Sequence, residues 1–295
     1  MRRLLLATLA LAALAAGCGS SADRAGSDGP PAPADLAGDA TQALYEAGSA
    51  HYVLDGSVEA EGEEMDGFPS PLTLHLEGDY SQEALTADGS VSFPGGNFTG
   101  GLIVGPHEFF VNFLGRWFGT KEYGIADAES ELEKDDPRAA ELYRDLQTGD
   151  GVRRYFDRVL VGDVTEGPET DGDATWAFEG HLNADGIAGL AAEFGEEGPT
   201  GSELDAFRQI ADNVQVTIVV GRDDSLPRRF EVDVELTPED LAALEQADSG
   251  FDTHGSVRMD LALVLSDFGK EVQYEAPEQF EPLENAFEAF FSGMG

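Results

Sequence analysis

Cysteine is almost absent: Cys18 is the single one in 295 residues, so no internal disulfide can form and stability has to come from a packed core. Basic residues are scarce as well, with 17 Lys and Arg against 58 Asp and Glu and a formal net charge of −41. So anionic a surface repels nucleic acid and anionic lipid headgroups, which excludes the partners that need a basic patch. The five histidines, His51, His75, His107, His181 and His254, are scattered without His-x-x-x-His spacing, and no Cys-x-x-Cys occurs, so no zinc or other metal is expected. There is no Gly-x-Ser-x-Gly elbow, no phosphate loop and no paired nucleophile and base, so neither an enzyme nor a cofactor is expected. Glu169, Asp171 and Asp173 alternate around Gly172, but the calcium-loop pattern is incomplete and a solvated acidic turn is the expectation. The apolar run from Leu4 to Ala16 is too short to span a bilayer as a helix.

That run is still informative, because Arg2 and Arg3 precede it and Gly17-Cys18 closes it. Charged, apolar and small residues in this order read as a secretory signal over residues 1–17. The stretch Leu14-Ala15-Ala16-Gly17-Cys18 resembles the lipobox of bacterial lipoproteins. The resemblance implies a diacylglyceryl group on the Cys18 thiol, cleavage before it, and a body held at the extracytoplasmic face of a cell membrane. Each buried methylene contributes about 0.8 kcal/mol, so two or three acyl chains hold even a strongly acidic protein there. Residues 18–37 are mostly Gly, Ser, Ala, Asp and Pro and read as a disordered tether.

From there the periodicity changes twice. Leu36, Ala40, Ala43, Leu44 and Ala47 fall on one face of a helix that Asp35 can cap and Gly48 can end. Period two then takes over from His51, most clearly in Leu72, Leu74, Leu76, Gly78 and Tyr80, and continues through strands at 85–93, 97–104, 109–113 and 116–120. An acidic insert near 129–136 precedes helices signalled by Asp136-Pro137 and by Asp150. Strands resume around Trp176 and Phe178, and Asn183 caps a helix that is followed by another from Ser202. The clearest hairpin pairs Val214 to Val220 with Phe230 to Leu236. Thr237-Pro238-Glu239-Asp240 opens a helix with a capping-box arrangement, Val257 to Leu265 is one more strand, and Val272 to Tyr274 the expected last one. Both meanders have one apolar face, so one domain over 38–284 is expected. A Phe-rich amphipathic tail, 285–295, follows with Phe287, Phe290 and Phe291.

Four stretches carry a further resemblance: the short helix leading into Ser49-Ala50-His51-Tyr52, the aromatic strands around Phe109-Phe110-Val111-Asn112 and Trp117, the hairpin Val219 to Pro227, and Leu265-Ser266-Asp267-Phe268-Gly269-Lys270 ahead of Pro277. Together they resemble the LppX/LprG group of actinobacterial lipoproteins, similar in fold to the LolA and LolB carriers. The resemblance implies an α+β fold, a strongly curved antiparallel sheet like an unclosed half-barrel, with helices across its concave apolar face. It also implies a monomer with an apolar cavity for lipid or glycolipid. The candidate lining is Leu74, Leu76, Phe109, Val111, Phe113, Trp176, Phe178, Ile218, Val232, Met259 and Leu261. Two roles are open to these residues. They line a lipid site in a carrier, or the helices pack onto them and the protein is a non-enzymatic envelope scaffold or sensor.

Overall fold

The structure, a computed structural model, describes residues 29–62, 70–113, 115–193, 201–247 and 255–285. Cys18, the signal stretch, His254 and the tail phenylalanines Phe287, Phe290 and Phe291 lie outside these residues.

Helix α1 (Pro33–Ala47) begins two residues before the expected cap, because the fixed φ of Pro33 suits the first helical position and Asp35 then sits in the first turn. It ends at Gly48, whose left-handed φ of 75° lets its N–H reach the carbonyls of Leu44 and Tyr45. The first meander is β1 (Ser49–Glu61), β2 (Leu72–Ser81), β3 (Leu85–Phe93), β4 (Gly96–Val104), β5 (Phe109–Phe113) and β6 (Arg116–Thr120). Three helices follow, α2 (Ile125–Asp135), α3 (Pro137–Leu146) and α4 (Gly149–Val159). Then come β7 (Leu160–Glu166), β8 (Thr175–Leu182), α5 (Ala184–Glu193), α6 (Ser202–Ala211), β9 (Val214–Gly221), β10 (Pro227–Leu236), α7 (Pro238–Ala247), β11 (Ser256–Ser266) and β12 (Glu281–Pro282).

The twelve strands among the described residues form one sheet in the order β12-β6-β5-β4-β3-β2-β1-β11-β10-β9-β8-β7. Among the described residues every pairing is antiparallel except β12 with β6, and β7 and β12 are the two edges, so the fold is α+β with an unclosed sheet, in agreement with the expected class. Close approach between strands depends on glycine at the β3–β4 pair. A Cβ on Gly89 would fall 2.2 Å from the carbonyl oxygen of His75, and one on its partner Gly100 would fall 2.4 Å from that of Asn112.

The main core lies between β7–β11 and the helices. Leu36 and Ala40 of α1, Val152 and Phe156 of α4, and Phe178, Val216, Ile218 and Val232 of the sheet belong to one buried cluster. Helices α1 and α4 cross closely, since a Cβ on Gly38 would lie 2.7 Å from the carbonyl oxygen of Gly149. Arg153 spans that crossing, pairing with Asp39 and lying 3.6 Å from Asp35. At the junction of α6 and α7, Asp240 is buried and its carboxylate accepts from the Thr237 N–H and hydroxyl (2.8 and 2.7 Å), Gln209 (2.6 Å) and Asn213 (3.0 Å). This is the capping box expected at Thr237. Burial works against ionisation there, but the Thr237 and Gln209 hydrogen bonds outweigh it and hold the carboxyl below its ordinary range.

Two elements differ from expectation. Residues 272–274 form no strand, and the Tyr274 ring lies against Gly105, where a Cβ would meet the phenol oxygen at 2.4 Å. The edge strand is instead Glu281–Pro282, held beside β6 by Arg116 to Glu281 at 2.5 Å and by Phe280 edge-on to Phe110 at 5.0 Å. The stretch read as an acidic insert is largely α2, whose first turn is fixed by Asp127 accepting from the Gly124 N–H at 3.0 Å.

Candidate functional site

Strand register places all eleven candidate lining residues on one face of the sheet. Val216, Val232, Leu261, Gly56, Leu74 and Val91 run across it as successive partners from β9 to β3. Phe178, Ile218, Phe230, Leu263, Leu54 and Leu76 make a second such row from β8 to β2.

The helices divide this face in two. Over β7–β10 they cover it: Phe178 is 0% exposed with Phe156 of α4 edge-on at 5.1 Å, and Ile218 and Val232 are buried beside it. Trp176 is half-buried at the margin, its ring covered by the Arg222 guanidinium 3.9 Å above the centroid. Arg222 is held there by its own bonds to the Thr175 carbonyl (2.9 Å) and Glu166 (3.1 Å). These four therefore sit in or against a packed core.

The other seven lie on β2, β5 and β11, where the same face is apolar but only half-buried. Leu74, Leu76, Phe109, Val111, Phe113 and Met259 are outside the buried cluster, and Leu261 packs against its edge. No residue of β1–β6 belongs to that cluster among the described residues. Register adds members that the sequence reading left out: Val58, Leu72, Val91, Phe93 and Phe98. Phe93, Phe98 and Phe113 form an aromatic row with centroids 5.4 and 5.5 Å apart. The signal for two of them was the Pro94-Gly95 turn, which sets Phe93 and Phe98 on adjacent strand ends. No Asp, Glu, Lys or Arg falls on this face of β1–β5 or β11 among the described residues, in a chain of net charge −41.

The carboxylates are on the opposite face, where two open cavities share His75. One, of about 420 Å³, is lined by Asp55, Ser57, Glu231, Asp233 and Asp260, and the other, of about 390 Å³, by His51, Glu77 and Asp88. A carboxylate lining is the wrong surface for an acyl chain. Asp233 and Asp260 face each other in register on β10 and β11. Burial, then the hydrogen bond and charge of Asp260, push the Asp233 carboxyl above its ordinary range. His75 meets Asp55 at 2.7 Å and His51 meets Asp79 at 3.0 Å.

Other sequence candidates resolve simply. The acidic stretch around Gly172 is a turn closed by reciprocal backbone bonds between Thr170 and Asp173 at 3.0 and 3.1 Å. Among the described residues no three His, Cys, Asp or Glu side chains converge on a metal site, and no helix is long and apolar enough to cross a membrane.

Among the solved structures similar to this chain are the following two. LprF from Mycobacterium bovis matches at 16% identity over 84% of this chain and 99% of its own, with a TM-score of 0.39. A beta-barrel-like protein of a domain of unknown function from Brucella abortus matches at 13% identity over 74% and 98%, with a TM-score of 0.25. No protein-family model and no curated protein matches the chain.

Proposed function

We propose that this protein is a membrane-anchored, extracytoplasmic lipoprotein that binds, and carries, lipid or glycolipid. The observation behind this reading is the charge-free, half-buried face of β1–β5 and β11, which continues directly from a packed core. At about 3.3 Å per residue, a strand such as Leu72–Ser81 is comparable in length to an extended acyl chain. Leu74, Leu76, Val111, Phe113 and Met259 would lie along that chain, while Phe178, Ile218 and Val232 anchor the covered half. Binding is by desolvation of apolar surface alone, with no covalent chemistry, metal or cofactor. The Cys18 acyl groups would hold the protein, as a monomer, at the membrane its charge would otherwise repel.

Native mass spectrometry of the chain from Gly19 onward tests the reading. Lipid adducts after purification from cells, and saturable binding of a pyrene-labelled fatty alcohol, are expected. Repeated purification without lipid, together with no probe binding, would refute it. A stable protein partner in pull-down would then favour the scaffold role, for which the packed half of the sheet provides a ready body.

A further inference from the structure

The lipid reading leaves headgroup chemistry open, and the two faces of the half-exposed sheet bear on it. Ahead, β1–β5 and β11 present no charged side chain among the described residues. Behind, one strand thickness away, stand Asp55, Glu77, Asp79, Asp88, Asp233 and Asp260. Charges across a thin, low-dielectric sheet are weakly screened, whereas those separated by more than about 10 Å of saline are not felt. Tyr52 lies within reach of both faces. Its side chain is on the front, its hydroxyl donates to the Thr86 carbonyl at 2.9 Å, and its pKa is pushed up to about 12, first by burial and then by the rear-face charges of Asp79 and Asp88.

Resting on the lipid-binding reading, we propose that the site selects lipids with an uncharged headgroup and rejects those carrying a phosphate or carboxylate. Selection is by repulsion and needs no contact with the headgroup. The front supplies the same desolvation energy to any acyl chain, so chain-matched lipids differ only by the charge they bring into the negative potential.

The experiment displaces a pyrene-labelled fatty alcohol from the chain beginning at Gly19, which retains every described element, using 1-oleoylglycerol and oleoyl-lysophosphatidylglycerol below their micellar concentrations. In about 10 mM salt the phosphate-bearing lipid should bind about tenfold more weakly, and the gap should close near about 1 M salt, where screening reaches about 3 Å. The variant Asp55→Asn/Glu77→Gln/Asp88→Asn should bring the anionic lipid up several-fold at low salt. It should leave 1-oleoylglycerol unchanged, which also controls for folding. Equal, salt-independent binding of both lipids, or tighter binding of the anionic one, overturns the selection while leaving the lipid site standing. Binding of neither lipid and no uptake of the probe overturns the site itself.

Discussion

Truncating two side chains on the same sheet face, Phe178→Ala and Leu76→Ala, should have very different consequences. Phe178 is fully buried and held edge-on by Phe156 at 5.1 Å, so removing its ring leaves a cavity that helix α4 cannot readily fill. Such substitutions cost about 3–5 kcal/mol. Leu76 lies in the same register row but is half-buried, with Gly89 opposite it on β3 and no residue of the packed cluster on its strand. Only part of its area leaves water on folding, and water can re-enter the gap, so the expected loss is about 1 kcal/mol. Urea titration followed by far-ultraviolet circular dichroism measures both, and comparable m-values would confirm that the denatured state is unchanged. The acyl probe should show the reverse order, with affinity falling several-fold for Leu76→Ala and little for Phe178→Ala under conditions where both are folded. If Leu76→Ala costs as much stability as Phe178→Ala, the half-exposed face is an ordinary core and the division of the sheet is wrong.

Three further outcomes follow from local geometry. Asp240→Asn removes a charged acceptor from four donors and should cost about 2 kcal/mol at pH 7 by urea titration. Because the folded carboxyl titrates below its unfolded value near about 4, the difference from the parent should be full above that pH and shrink as pH falls through the folded pKa. A pH-independent difference would show that charge is not what Asp240 supplies. Asp233 behaves oppositely: its folded pKa is raised, so ionisation is a cost at neutral pH, and Asp233→Asn should raise Tm at pH 7, with the gain fading as pH falls through the folded pKa and gone below the unfolded value near about 4. A lower Tm at pH 7, read by scanning fluorimetry, would refute it. Gly38→Val pushes a side chain into the Gly149 carbonyl and should separate α1 from α4 at a cost of about 2 kcal/mol or more by thermal melting, whereas no change would mean that the crossing is loose.

Much of the architecture was legible in period and punctuation. Val214 to Val220 alternates and is β9, Gly48 ends α1, and Asn183 caps α5 with its side chain accepting from Gly186 at 3.0 Å. Edge pairing was not legible, because Glu281–Pro282 is too short to show a period and is recruited by Arg116 and Phe110 from distant sequence. Helix α2 was hidden by its own acidity, which masks the weak apolar spacing of Ile125 and Leu132. The split of the sheet face was beyond sequence in principle. Leu74 and Ile218 occupy equivalent positions in equally alternating strands, and their different burial depends on where α1, α4 and α5 come to rest. Pattern identifies which side of a strand is apolar, but which part of that side receives a helix is a tertiary outcome.

The position of β1 at the middle of the sheet has a bearing on how the chain assembles. The β2–β6 meander and the β7–β10 set can each form from neighbouring residues, but β1 must join β11, bringing Gly56 against Leu261 across most of the sequence. Loop closure of that span is the entropically costly step, and it comes late because nothing local rewards it. Until it closes, the facing sides of β1 and β11 are bare strand edges, open to pairing with another chain. Carboxylates at Asp55 of β1 and Asp260 of β11 would repel a second copy there, which gives the acidity of the rear face a consequence for assembly as well as for binding.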